Sequence, residues 1–102
     1  MPIILSRGPK EEPITNVPHR VTRGDAKNID QMAYDFGYHG AGPNELSMNI
    51  LFNTGLLTEA EALALSTFFT QDIICGIPHN GASIDDQIVN EWITMKRQNN
   101  II

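Results

Sequence analysis

The chain has 102 residues, of which 41% are hydrophobic and 19% charged, values typical of one globular domain with a modest core. The net charge is −5, and the single cysteine, Cys75, excludes an intramolecular disulfide. No apolar run approaches the ~20 residues that span a bilayer, and the early charges of the N-terminal segment do not fit a secretory signal, so we expect a cytoplasmic protein that does not bind a membrane.

The first 38 residues are predicted to be the β-rich part of a single domain. The apolar run Ile3–Arg7 predicts a strand. Short extended pieces around Pro18 would lie at a sheet edge, because proline cannot donate to a ladder. Met32, Tyr34 and Phe36 alternate with small or polar residues, which predicts another strand. We therefore expect a small antiparallel sheet of two to three strands.

Three helices are predicted over residues 43–97, and a short tail of residues 98–102 follows them. The first helix is predicted over Pro43–Asn53, because proline suits the first helical position, where its missing N–H would have no partner in any case. Gly55 suits the left-handed conformation that commonly follows a helix end. Together the elements predict an α+β fold in which the N-terminal sheet packs on the three helices.

The second and third helices have clear starting signals. Thr58 and Glu61 have the spacing of a capping box, which predicts a helix from Glu59 to about residue 74. Ser83 is predicted to cap a third helix, from Ile84 to about residue 97. The expected core combines the apolar faces of these elements: Ile4, Met32, Tyr34, Leu46, Ile50, Leu51, Leu65, Phe69, Ile73, Ile88, Val89 and Trp92.

The charges are unevenly distributed along the chain. Residues 1–27 carry a net charge of +2, whereas residues 28–95 contain nine acids and no Lys or Arg. Phosphate neutralisation requires Lys and Arg, so this region is not expected to bind nucleic acid directly. Five of the nine acids lie in the first turns of predicted helices, where the helix dipole favours them. A candidate acidic binding face is left, formed by Asp30, Asp35, Asp72 and Glu91.

The stretch "FGYHGAGPNEL" at residues 36–46 admits two interpretations. Glycine-rich backbone at a helix N-terminus can hold an anion. The stretch has no Lys or Arg, however, and Glu45 near the helix start would repel an anion, so a tight turn into the helix is the simpler explanation. The residues of this helix-start loop are Tyr38, His39, Gly40, Gly42 and Pro43.

Nothing in the sequence predicts a catalytic or metal centre. His39 and His79 occupy similar loops, but no H-x-x-x-H pattern or cysteine cluster accompanies them. As a general base, His39 would need an orienting acid and a nucleophile in a recognisable pattern. We therefore expect no enzyme activity, no metal and no cofactor.

Residues 36–51 carry a family resemblance. They resemble the Trp-Gly-Tyr-Gly-Gly-Ser-Gly-Pro-Ala-x-Leu-Ala helix start of a family of small domains of unknown function from bacteria, phages and other mobile elements. Phe36 replaces the tryptophan and His39 a glycine. The resemblance extends over roughly residues 33–93, through "IPHNGASI" and "IVNEWI". The matching positions in the motif are Gly37, Tyr38, Gly40, Gly42, Pro43 and Leu46.

The resemblance implies no catalytic residues, but it implies a phage or mobile-element origin. Small acidic phage proteins are often inhibitors of host machinery, including anti-CRISPR and other anti-defence proteins. Combined with the charge distribution, this predicts a non-enzymatic protein of the host cytoplasm whose acidic surface binds a host protein such as a nucleic-acid-binding defence complex. Homodimerisation is left open. The alternative is a sponge or sensor that binds a small molecule or nucleotide through the helix-start loop.

Overall fold

The computed structural model describes residues 2–23 and 33–99. It confirms the α+β fold, a three-stranded antiparallel sheet packed with three helices. The strands are β1 (Ile3–Arg7), β2 (Pro13–Thr15) and β3 (Ala82–Ile84), in the order β2-β1-β3. The sheet therefore combines the N-terminal hairpin with a strand from late in the chain.

The helices are α1 (Ala41–Asn53), α2 (Glu59–Asp72) and α3 (Asp86–Gln98). A short 3-10 turn, Ile74–Gly76, follows α2. None of the helices within the described part of the chain has the length and apolar character needed to cross a membrane.

The register of the sheet determines which strand residues enter the core. Leu5 lies opposite Thr15 on one side and Ala82 on the other, and its side chain is buried. Successive strand residues point to opposite faces, so Ile4 points away from the core and is 50% exposed. The prediction that Ile4 belongs to the core is therefore wrong, because it is the next strand residue, Leu5, that faces the core.

The strand predicted around Met32, Tyr34 and Phe36 is also wrong over its described part. Residues 33–36 are not in a strand, and Met32 lies outside the described residues. The Asp35 side chain accepts the N–H of Phe36 at 2.9 Å, and the backbone N–H of Gly37 donates to the Ile74 carbonyl. These bonds satisfy the backbone in place of a ladder.

The third strand, β3, lies where the sequence predicts the start of the last helix. Ser83 is paired with Ile4 in the sheet and caps nothing. The cap of α3 is Asp85, whose side chain accepts the backbone N–H of Gln87 at 3.0 Å. The helix therefore begins at Asp86, two residues later than predicted.

Of the other two helices, α2 begins where its local signal predicts, whereas α1 begins two residues earlier than predicted. The Thr58–Glu61 capping box of α2 is confirmed, with both reciprocal bonds formed. Gly55 after α1 has a positive φ of 76°, as predicted. Helix α1 begins at Ala41 with Gly40 as its N-cap, so Pro43 is the third helical residue and not the first.

The core lies between the sheet and the helices and centres on aromatic contacts. The Phe69 and Trp92 rings meet edge to face, with their centroids 5.0 Å apart. Ile88, predicted to pack with Trp92, is instead 47% exposed on α3. The fully buried side chains at the centre of the core include Phe36, Leu46, Met48, Leu51, Leu65, Phe69, Ile74, Val89 and Ile93.

Candidate functional site

The helix-start loop packs tightly against its own chain. The Tyr38 hydroxyl donates to the Asp35 carboxylate at 2.9 Å. A Cβ added at Gly42 would lie 2.9 Å from the Cβ of Asp35, and one added at Gly40 would lie 2.8 Å from the Tyr38 ring. The glycines therefore make room for neighbouring side chains, which favours the helix-start interpretation. Nucleotide binding by this loop stays a prediction without support from its packing.

His39, at the outer end of the loop, is exposed. Its ring makes no hydrogen bond, ion pair or ring contact within the part of the chain that the structure describes. The acid and nucleophile that a catalytic histidine would need are accordingly not positioned beside it there.

Asp35, one of the four predicted face acids, is bound inside the fold. Its carboxylate lies 2.9 Å from Nη1 of Arg7, and the Arg7 guanidinium also stacks over the Phe36 ring. Partial burial tends to raise the pKa of Asp35, but the hydrogen bonds from the Phe36 N–H, Tyr38 and Arg7 outweigh burial and lower that pKa. The charge of Asp35 is thus largely balanced by Arg7.

Asp72, at the end of α2, is similarly occupied. Its carboxylate accepts the indole N–H of Trp92 at 2.9 Å and lies 3.2 Å from the Lys96 ammonium. The Trp92 hydrogen bond lowers the pKa of Asp72, burial opposes it, and Lys96 lowers the pKa further. Lys96 is itself mostly buried, against the faces of Phe68 and Trp92.

The four predicted acids do not form one continuous group among the described residues. Glu91 is exposed on α3 and accepts a hydrogen bond from Gln87 at 2.9 Å. Glu91 precedes Trp92 in the chain, and Asp72 accepts the hydrogen bond of the Trp92 indole N–H, so these two acids both lie near Trp92. Asp35 instead belongs to the loop before α1, and Asp30 lies outside the described residues.

A polar stripe on α1 binds the extended segment that follows β2, and sequence reasoning missed it. The amide of Asn49, which is fully buried, accepts the backbone N–H groups of Arg20 and Val21 and donates to the Val21 carbonyl. One turn later, Asn53 donates to the carbonyl of Pro18 at 2.8 Å. We call residues 17–23, which these side chains hold, the strap.

Glu45, one turn before Asn49, is the third polar residue of this stripe. Its carboxylate is fully buried, lies 2.6 Å from the His19 ring nitrogen and accepts the backbone N–H of Arg23 at 3.1 Å. The expectation that Glu45 stands at the helix start is wrong, because it is the fifth residue of α1 and faces the strap. His19 in turn packs on the ring of Tyr34, whose pKa is raised by burial and by the charge of Glu45.

A cleft of about 400 Å³ lies at the C-terminal end of α1. Its lining combines apolar side chains with amide side chains, of which those of Asn16 and Asn53 are already bonded to the backbone. The helix-start loop is at the opposite end of α1, so this cleft is separate from the predicted loop site. The lining residues are Pro2, Ile3, Asn16, Val17, Pro18, Ile50, Asn53, Thr54, Asp86, Val89 and Asn90.

The acids at the surface of α2 and α3 differ from those inside the fold. Glu59, Asp85 and Glu91 are exposed, and none of them forms an ion pair with a described residue. Arg7 and Lys96, in contrast, are mostly buried and already paired with acids. Exposed negative charge therefore persists on the two helices.

No three His, Cys, Asp or Glu side chains come together as a metal-binding group within residues 2–23 and 33–99. When the chain was compared with known proteins, no family, no curated protein and no solved structure matched it.

Proposed function

We propose that this protein is a non-enzymatic binding protein that attaches to a basic surface of another protein and inhibits or modulates it. The observation that carries the proposal is the exposed negative charge of α2 and α3. Glu59, Asp85 and Glu91 have no cationic partner among the described residues, while Lys96 is bound internally. Such a surface attracts basic partners and speeds their association.

The structural roles of the other polar side chains support a binding function over a catalytic one. His19 and the buried Glu45 hold the strap, and Arg7 with Asp35 fixes the loop before α1. These groups stabilise the fold, and their bonds leave little freedom for proton transfer to a substrate. The resemblance of residues 36–51 to phage and mobile-element domains makes a host defence complex, such as a CRISPR nuclease, the first partner to test.

The test uses the purified 102-residue chain and a purified CRISPR nuclease complex with a basic nucleic-acid channel. We expect binding that weakens as salt increases, and nuclease activity that falls as the protein saturates the complex. Changing Glu59 and Glu91 together to Gln should weaken binding at low salt by roughly tenfold, because two rim charges are lost.

Glu12→Gln is the matched control. It removes one charge from an exposed side chain in the β1–β2 turn, away from the helices. Glu59→Gln and Glu91→Gln are also made singly, so that each removes one charge as Glu12→Gln does. If Glu12→Gln weakens binding as much as these single variants, the partner responds to the net charge of the protein and the proposed surface is wrong. Nuclease activity that stays unchanged at saturation would contradict inhibition of this partner.

A further inference from the structure

The exposed flank of α3 combines large apolar side chains with an acid. Ile88 is 47% exposed and Met95 43% exposed, and Glu91 stands between them along the helix. Residues seven apart lie on one stripe, so Ile88 and Met95 are about 10 Å apart on the same side of α3. Large side chains exposed at this spacing are a common anchor pattern for helix packing.

Across the contact of Lys96 with Trp92, α2 adds another large exposed apolar side chain. Phe68 is 45% exposed, and the Lys96 ammonium lies 5.9 Å from its ring centroid and 5.2 Å from that of Trp92. Asp72 borders the same contact through the Trp92 indole. We call the surface formed by Phe68, Asp72, Ile88, Glu91 and Met95 the α2–α3 face.

The charge on this face determines what kind of ligand it can bind. Lys96 is the one cation that contacts the α2–α3 face among the described residues, and its charge is balanced by Asp72. The unbalanced charge at the centre of the stripe is Glu91, and Asp85 adds another at the start of α3. A ligand that buries Ile88 and Met95 must therefore place positive charge opposite Glu91.

We propose that the α2–α3 face docks an amphipathic helix that carries Lys or Arg beside Leu-like anchors, contributed by a partner protein. This inference rests on the proposed function and names the chemistry of the partner segment. A second copy of the chain fits less well, because a two-fold contact would bring Glu91 close to its own counterpart and leave both charges without a cation.

The probe is a tryptophan-free helical peptide of Leu and Lys with a seven-residue apolar repeat. Trp92 is the only tryptophan in the chain and lies directly beneath the α2–α3 face, so its fluorescence reports binding. We expect the Leu/Lys peptide to bind in a salt-dependent manner and its Leu/Glu analogue to bind at least about tenfold more weakly, because like charges would meet. Equal binding of the two peptides would overturn the inference.

The location is tested with matched apolar substitutions. Ile88→Gln and Met95→Gln should each lower the affinity for the Leu/Lys peptide about fivefold, because each removes apolar area that the peptide helix would cover. Ile14→Gln, on the outer face of the sheet and equally exposed, is the control and should change the affinity less than twofold.

The outcomes separate this inference from the proposed function. If Ile14→Gln weakens binding of the Leu/Lys peptide and Ile88→Gln does not, the peptide does not bind at the α2–α3 face, although the protein still binds basic partners. If the nuclease binds through Glu59 and Glu91 but the Leu/Lys peptide does not bind at all, a helical ligand is wrong. If neither the nuclease nor the peptide binds, both proposals are wrong. Urea unfolding of each variant confirms that its fold is intact before binding is measured.

Discussion

Replacing Asn49 with Ala should reveal how much the strap depends on α1. The substitution deletes the partner of three strap backbone groups, the N–H groups of Arg20 and Val21 and the carbonyl of Val21. The two bonds to Val21 are buried. An unsatisfied buried group costs about 1–3 kcal/mol, and water that enters the gap returns part of this, so we expect a loss of about 3 kcal/mol in the free energy of unfolding.

Asn53→Ala is the matched control for this prediction. Its two bonds, to the Pro18 carbonyl and from the Arg20 side chain, are exposed. Water can replace them, so the loss should stay near 0.5–1 kcal/mol, at the low end for a single hydrogen bond. This difference is large for a domain whose whole stability is about 5–15 kcal/mol.

The assay is urea unfolding followed by Trp92 fluorescence, combined with hydrogen exchange at the amide of Val21. Trp92 is buried in the wild-type core, so its emission should follow global unfolding. The Val21 amide should exchange faster in Asn49→Ala than in Asn53→Ala, because only the former loses its acceptor. Equal losses of stability in the two variants, or unchanged exchange at Val21, would refute the role given to Asn49.

Three further predictions concern the sheet and the loop before α1. Arg7→Lys should lose about 2–3 kcal/mol of stability in urea unfolding, because lysine cannot bond Asp35 and stack on Phe36 at once. Gly81→Ala should lose more than about 2 kcal/mol in the same assay, because its φ is +103° and the new Cβ would meet the backbone of β1. The stability of the wild type should fall as the pH drops below 3.8, the ordinary value for Asp35. The folded-state pKa of this group lies lower, so its contribution is full above 3.8 and is lost as the pH falls through the folded value.

Each of these predictions has a control within the chain. Gly76→Ala should change stability by less than about 0.5 kcal/mol, since no atom lies within 4 Å of the added Cβ. Lys10→Met, at an exposed position of the β1–β2 turn, is the control for Arg7→Lys and should be nearly neutral. Asp35→Asn should show a weaker loss of stability below pH 3.8 than the wild type. An equally steep loss in that variant would assign the acid sensitivity to other carboxylates.

Local signals predicted the start of α2 and the strand β1 correctly, but missed the starts of α1 and α3 by two residues each and did not predict β3. The Thr58–Glu61 box involves residues three apart, so its geometry depends on little outside α2. Ser83 and Asp85 both have the chemistry of a helix cap. What decides between them is the pairing of Ser83 with Ile4, 79 positions earlier in the chain, and no local pattern reports such a contact. The same pairing assigned the third strand to residues 82–84.

The polar stripe of α1 did leave a signal in the sequence. Glu45, Asn49 and Asn53 recur every fourth residue in a helix whose other side chains are mainly apolar. Such spacing puts three polar groups on one face, and a buried polar face needs hydrogen-bond partners. The sequence could therefore predict that something polar lies along α1, but the identity of the strap depends on the chain path.

Internal pairing changes which acids can represent a binding surface. Asp35 and Asp72 contribute to the negative net charge of residues 28–95, yet each is held by a cation or an indole that the fold itself supplies. Removing either acid would strand Arg7 or Lys96 in a mostly buried position, so the damage would be to the fold first. Glu91 does not neutralise a buried cation, because its hydrogen bond is with the exposed side chain of Gln87. A substitution at Glu91 therefore reports on attraction to a partner, whereas one at Asp35 or Asp72 reports mainly on stability.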